Sequence, residues 1–384
     1  MKIMKKYKLL NIITDLNTGG AERALYNLLY GGLAEQFDCH VISLMDEGTY
    51  GAKIKKLGVS VTCIGMRGKI GIPFYLLRLI EAVRSIAPDI IQCHMYHANL
   101  LGGLVGKFSQ KAPVLWGIHN TTFDVSTPKT TLFVVKIGAV FSSKLSDKII
   151  CCAKAAKETH VRFGYDDENI LIIPNGTDTD CFKFDQAKRI MLRKALQLSE
   201  NVFVFGLVAR WHPQKDINNF LKAAAILLKK YRDMHFVLIG DGLSVSNEFL
   251  TKTMENLKLN ENITLLGRQD DIPAFMSFFD VYVSSSSFGE AFPMVIGEAM
   301  ACCLPCVVTD VGDSAYIVDD TGVVVPPQNS EALAAGMEKL YLMSRRERRT
   351  LGQKARARII ENFSLQTIVK KYIDLYEKQL ADLS

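Results

Sequence analysis

A chain of 384 residues, 48% hydrophobic and 22% charged, has the length for two domains and the composition of a globular protein, which excludes collagen-like, coiled-coil and disordered chains. Its longest apolar runs, such as 131–141 with Lys136 inside it, are too short to cross a bilayer. The net charge of +6 is uneven: residues 1–174 carry 21 Lys and Arg against 14 Asp and Glu, a net of +7, while 175–384 carry 25 against 26, a net of −1. The first half is expected to face something anionic, either phosphates or a membrane surface, although a modestly basic half also reads as ordinary solvated surface.

In chain order, the N-terminus is basic, with Lys2, Lys5, Lys6 and Lys8. The apolar run after it, 9–13, is too short for a signal-peptide core, so the expected location is the cytoplasm. Strands are read at 9–13, 40–44, 60–64, 90–93, 114–118, 148–151 and 170–173. Helices fall between them at 21–33, 72–86 and 99–108. Near-continuous apolar strands alternating with amphipathic helices indicate parallel sheets covered on both faces. A turn cluster, Pro174-Asn175-Gly176-Thr177-Asp178, marks a boundary, and the pattern restarts. Strands follow at 202–208, 236–239, 263–266, 281–284, 305–308 and 322–325, with helices at 217–231, 246–259, 293–301, 331–342 and 346–362. A last amphipathic helix, 365–383, ends the chain. Nine cysteines, including Cys303 and Cys306 at C-x-x-C spacing, sit beside apolar runs and read as reduced structural thiols.

The chemistry-bearing residues lie where strands end. Gly19-Gly20 joins the first strand to a helix, a turn where backbone N–H groups can approach a phosphate. The G-x-G-x-x-G fingerprint of dinucleotide binding is absent there. Arg210 and Lys215 follow the strand 202–208, with Pro213 between them; two cations at a strand end suit a pyrophosphate leaving group, or are two solvated bases. Gly240 and Gly267-Arg268 follow the next two strands. Glu290 and Glu298 lie eight apart in Ser284-Ser-Ser-Ser-Phe-Gly-Glu290-Ala-Phe-Pro-Met-Val-Ile-Gly-Glu298. Glu290 sits at the mouth of a helix opening near Pro293, and Glu298 lies within it. Two carboxylates at different depths can hold hydroxyls at two ends of an elongated ligand; a helix-dipole partner and a surface ion pair are the plainer readings. His94 and His97 form an H-x-x-H with no third metal ligand apparent, and His119 ends the strand 114–118.

Together these segments resemble a retaining glycosyltransferase of family 4 with the GT-B fold, over essentially the whole length. Glu290-x7-Glu298 in its F-G-E-A-F-P setting resembles the family's E-x7-E motif. Arg210 with Lys215, and Gly19-Gly20, resemble its donor-phosphate cations and its N-terminal glycine loop. The resemblance implies an α/β protein of two Rossmann-like doubly wound parallel-sheet domains facing a central cleft. The parts would be an acceptor domain at 1–174, a donor domain at 175–362, and a C-terminal helix at 363–384 crossing back to the first. Glu290 would contact hydroxyls of the donor sugar and Glu298 the ribose. Arg210 and Lys215 would bind the diphosphate with the backbone N–H groups of Met294 and Val295. Ala291, Phe292, Gly19, Gly20, Gly240 and Arg268 would complete the donor site, and His119 would act beside the sugar with Glu290, Arg210 and Lys215. His97 and Asn120 are assigned to the acceptor. The implied reaction takes a nucleotide-diphosphate sugar, expected to be UDP-linked, to a glycan or lipid-linked acceptor in bacterial surface-polysaccharide assembly, without metal or cofactor and with no nucleic-acid partner. Peripheral contact with an anionic inner membrane is expected from Lys53, Lys55, Lys56, Arg67, Lys69 and Arg78. A sugar-nucleotide epimerase and a silent nucleotide-sugar-binding subunit remain the alternatives.

Overall fold

The computed structural model describes residues 6–66, 71–109, 112–123 and 127–382. The chain forms two compact units: unit 1 comprises 1–176 with 365–384, and unit 2 is the continuous stretch 177–364. Unit 1 is built on seven strands: β1 (Lys8–Ile13), β2 (Asp38–Ser43), β3 (Ser60–Cys63), β4 (Ile90–His94), β5 (Val114–Ile118), β6 (Lys148–Cys151) and β7 (Ile170–Ile172). All are parallel, in the order β3-β2-β1-β4-β5-β6-β7. Unit 2 has β8 (Phe203–Val208), β9 (Met234–Ile239), β10 (Ile263–Leu265), β11 (Val281–Ser284), β12 (Cys306–Thr309) and β13 (Gly322–Val325), parallel in the order β10-β9-β8-β11-β12-β13. Each sheet therefore runs outward from its first strand in both directions. The reversal falls between β1 and β4 in unit 1 and between β8 and β11 in unit 2. Ligands bind outside the carboxyl ends of strands at such a reversal.

The central strands are buried on both faces, which is why they read as unbroken apolar runs: Ile90–His94 and Val114–Ile118 are buried throughout. The last helix, Leu365–Ala381, completes the core of unit 1. Its Leu365, Ile368, Tyr372 and Tyr376 are buried there, and the Tyr376 hydroxyl donates to Gln92 Oε1 at 3.2 Å. In unit 2 the helix Gln186–Ala195 is tied to the entry of β11 by a buried network. Arg189 and Arg193 reach the two oxygens of Asp280 at 2.7 and 2.9 Å, and Asp280 also accepts from Val204 N at 2.8 Å. That network lies at the amino end of the sheet, opposite the site.

Several elements differ from the sequence reading. The helix read over 21–33 is α-helical only over Gly20–Leu28, then widens into a π-turn, Leu29–Leu33, in which Gly32 takes φ +120°. Among the described residues, five further helices of seven or more residues, Gly48–Lys56, Lys129–Leu145, Lys154–Arg162, Gln186–Ala195 and Ile272–Phe278, and the shorter Ala34–Gln36 and Ser314–Val318, lie outside the helices expected from sequence. Among the described residues no helix is long and apolar enough to cross a membrane.

Candidate active site

In unit 2 the exits of β8 and β11 are stitched together by the serines that follow β11. Ser285 Oγ donates to Lys215 O at 2.7 Å, Ser287 N to Gln214 O at 2.8 Å, and Thr309 Oγ1 holds Ser286 O at 2.6 Å. The hydroxyls of Ser285 and Ser287 satisfy carbonyls of the neighbouring turn. The short turn Pro213–Lys215 is capped by His212 Nδ1, which accepts from Gln214 N. This places the Lys215 ammonium on Glu290 Oε1, the oxygen that also accepts from Ser286 Oγ at 2.7 Å. Glu290 is buried and Lys215 nearly so. The two residues assigned separately to phosphate and sugar are thus an ion pair.

The loop carrying Glu290 is braced from behind by Gly312. That glycine has φ +59°, and a Cβ there would lie 2.1 Å from Glu290 O. Asp313 N donates to Ala291 O at 2.9 Å beside it. The chain then enters the helix Met294–Ala301, whose N-cap, Pro293, has no side-chain acceptor. The other unit 2 helices of eight or more residues are capped by Asp185, Asp216, Asn247, Asn329 and Ser344. The Met294 helix therefore presents its first N–H groups and its positive dipole end to an outside anion. Ala291 and Phe292 lie in the approach to it, with Phe292 packed on Phe363. Glu298 is buried one helical turn inside.

Arg210 is exposed at the end of β8 and makes no ion pair among the described residues. Gly240, φ +144°, lets the exits of β8 and β9 meet: a Cβ there would sit 1.8 Å from Ala209 O. Gly240 N in turn donates to Gly267 O at 2.8 Å. Arg268 is exposed at the end of β10, three strands from β11, or roughly 14 Å at ordinary strand spacing. The row of strand ends thus offers, in sequence, an exposed cation, glycine turns, a second cation and two carboxylates.

In unit 1 three polar side chains meet at the ends of β1, β4 and β5. His94 Nε2 faces Asn11 Oδ1 at 3.2 Å, and His94 Nδ1 faces His119 Nε2 at 3.4 Å, with the rings stacked. Burial holds both imidazoles down: His119 to about 4, and His94 well below the usual range, with His119 contributing second. Both are neutral at pH 7. His94 thus joins Asn11 to His119 through its two ring nitrogens, its tautomer setting which of them donates. Among the described residues His119 Nδ1 has no hydrogen-bond partner. Between His94 and the helix Tyr96–Ser109, Met95 is held at φ +73°, a left-handed strain at the strand exit. His97 opens that helix, half-buried, and burial lowers its basicity. Asn120 is turned onto its own loop, accepting from Thr121 N and donating to Thr122 O.

Gly19 is extended, at φ −159°, and a Cβ there would lie 2.2 Å from Glu22 Oε2. That oxygen is the far end of a flexible side chain, which could give way, and a Cβ on Gly20 would meet nothing within 4 Å. Glu22 is 5% exposed. Burial pushes it up to about 7, its own backbone N–H opposes this, and Asp15 adds to the rise.

Both units resemble known proteins. The profile of the family described as Glycosyl transferases group 1 matches residues 188–358, and that of Glycosyltransferase Family 4 matches residues 18–181. The chain belongs to glycosyltransferase family 4. The Escherichia coli UDP-Gal:alpha-D-GlcNAc-diphosphoundecaprenol alpha-1,3-galactosyltransferase is 26% identical over 306 residues, 78% of each chain. The N-acetyl-alpha-D-glucosaminyl L-malate synthase of Bacillus anthracis is 28% identical over 329 residues, 81% of each. HepE of Anabaena, solved in complex with UDP, superposes with a TM-score of 0.85 at 22% identity, covering 97% of this chain and all of that one. At that identity the likeness establishes the GT-B architecture alone.

Two residues of the glycosyltransferase escaped the sequence reading. His94 was visible only as half of an H-x-x-H, and its link to Asn11 needs the β1–β4 register, which pairs Asn11 with Gln92 and Ile13 with His94. Glu22 reads in sequence as an ordinary acid in a first helical turn. Its raised pKa has a measurable consequence. The folded chain holds a proton that the unfolded chain loses, so stability falls as pH rises from about 4.5 to about 7 and stays reduced above that. Glu22→Gln should remove the penalty, stabilising the protein by about 3 kcal/mol at pH 8 and by little at pH 4.5. Urea unfolding at both pH values decides this; an equal gain at each would mean that Glu22 is not the titrating group.

Proposed function

We propose that the glycosyltransferase moves a sugar from a UDP-linked donor to a glycan or lipid-linked acceptor, with retention of anomeric configuration, in bacterial surface-polysaccharide or glycolipid assembly. The observation that carries this reading is the meeting, at the β8–β11 reversal, of Lys215 with Glu290 beside an uncapped helix N-terminus and the exposed Arg210. The names of the E. coli relative and of the HepE complex support UDP as the nucleotide, and the former supports a diphosphate-linked lipid acceptor.

In this reading the diphosphate lies across Arg210, Lys215 and the N–H groups of Met294 and Val295. Its negative charge grows as the glycosidic bond breaks, so those donors stabilise the transition state more than the ground state. The two cations supply the charge neutralisation that a divalent metal provides in other transferases. Retention follows from attack on the face that the diphosphate leaves, its oxygen taking the acceptor proton, so no covalent nucleophile is assigned. Glu298 holds the ribose, Glu290 the sugar, and Arg268 with the Gly240 turn borders the base. His119 assists at the sugar, and His97 with Asn120 serves the acceptor.

The test is a nucleotide-release screen of UDP-galactose, UDP-glucose, UDP-N-acetylglucosamine and a GDP-sugar, with a diphosphate-linked acceptor, with and without excess EDTA. Release of UDP that depends on acceptor and is indifferent to EDTA is expected. A rearranged sugar formed without acceptor would make the protein an epimerase, and binding without release would make it a silent subunit. Activity lost to EDTA and restored by Mn²⁺ would remove the charge-neutralising role from Arg210 and Lys215.

A further inference from the structure

Of the basic residues first expected to meet a membrane, Lys56 and Arg78 are exposed. Lys55 is paired with Glu47 at 2.7 Å and Lys53 lies over the Tyr50 ring, while Arg67 and Lys69 lie outside the described residues. A different element has the required character. The helix Lys129–Leu145 seats one face on unit 1 through Val135, Gly138, Ala139, Ser142 and Leu145, all buried. The seat is close: a Cβ on Gly138 would lie 2.6 Å from the Tyr165 hydroxyl oxygen. The opposite face carries Lys129, Phe133, Lys136, Val140 and Lys144, which follow one another at the three- and four-residue spacing of a single helical stripe. Phe133 is 63% exposed, Val140 71% and the adjoining Phe141 42%. The stripe runs about 24 Å along the helix.

We infer that this stripe is the surface by which unit 1 lies on an anionic lipid bilayer. Exposed phenylalanines between lysines match the two layers of a membrane interface, apolar rings entering the acyl boundary and ammonium groups resting among the head groups. The helix contains no acidic residue, so nothing on it repels an anionic surface. Asp147, just beyond it, is neutralised by Lys107 at 2.7 Å, and that pair brings Phe108, 82% exposed, to the same end of the stripe. A second copy of the chain is a poorer occupant, because a two-fold contact through this stripe sets lysines against lysines. The inference deepens the proposed reaction, on which its purpose rests: a lipid-linked acceptor is met at the surface where it resides.

Co-sedimentation of the full chain with vesicles of equal parts phosphatidylglycerol and phosphatidylcholine, against phosphatidylcholine alone, tests it. Binding to the anionic vesicles should weaken with salt, since screening at physiological strength acts over about 8 Å. Lys129→Gln/Lys136→Gln/Lys144→Gln should weaken it on the order of 100-fold at low salt, at about 1 kcal/mol per lysine. Phe133→Gln/Phe141→Gln, at two exposed positions, should weaken it even where all lysines remain. Absence of binding, equal binding to both vesicles, or variants that bind like the parent would overturn the inference. So would a dimer in sedimentation velocity that the phenylalanine variant abolishes. Turnover on a short, water-soluble diphosphate-linked acceptor should be the same in parent and variants. If the parent binds vesicles but turns over no such acceptor, the proposed reaction fails and the surface stands.

Discussion

Glu290→Gln is expected to lower kcat by about 100- to 1000-fold while leaving the free nucleoside diphosphate bound as tightly as before, or more tightly. The carboxylate does two things. It reaches the sugar in the proposed complex, where contacts strengthen as the bond breaks, and it holds the Lys215 ammonium in place. Gln keeps the shape and one acceptor oxygen, so Ser286 retains a partner, but the counter-charge to Lys215 is gone. Lys215 then faces a diphosphate with its full charge, which favours nucleotide binding even as the reacting geometry is lost. Lys215→Met should weaken nucleotide binding and strand Glu290 as a buried charge. Because the two residues are one unit, the double variant should lose less than the sum of the single losses. Additive losses in kcat would show that the pair in the free protein has no part in the reaction.

Glu298→Gln should fail in the complementary way. Glu298 is buried inside the helix that Pro293 leaves uncapped, and a ribose contact changes little between ground and transition states. Loss of a charged hydrogen bond there should weaken the nucleotide by about 1.5–3 kcal/mol, or roughly 10- to 100-fold, with kcat at saturation little altered. Calorimetric titration of both variants with UDP separates the assignments. Equal loss in both, or loss confined to Glu290→Gln, would reverse the roles given to the two carboxylates.

The strands were legible because strands buried on both faces leave continuous apolar runs between turn residues; Val114–Ile118 and Val281–Ser284 were read to the residue. The missed helices lack that clarity. Lys129–Leu145 is apolar on its buried face and on much of its exposed one, so periodicity cannot pick out an inner side. Gln186–Ala195 hides two buried arginines, which look like surface residues until Asp280 is set beside them. The same limit applies at the site. Spacing could pick out Glu290 and Lys215 as candidates, but not that the two are bonded to each other, because that contact depends on serine hydroxyls bridging the exits of β8 and β11.

The last helix gives the chain an awkward order of manufacture. Unit 2 is an uninterrupted segment whose ends adjoin, Thr177 bridging Ser364 and donating to Phe363 O at 2.8 Å, so it can fold as soon as it has been made. Unit 1 cannot. Its sheet leaves the ribosome first, but Leu365, Ile368, Tyr372 and Tyr376, which belong to its core, are translated after all of unit 2. At about 5–20 residues per second, the groove that receives them stays open for roughly 10–40 s in every molecule made. A nascent chain of this protein is therefore most prone to aggregate through the half that was synthesised first, and a ribosome stalled anywhere in unit 2 leaves that half unfinished.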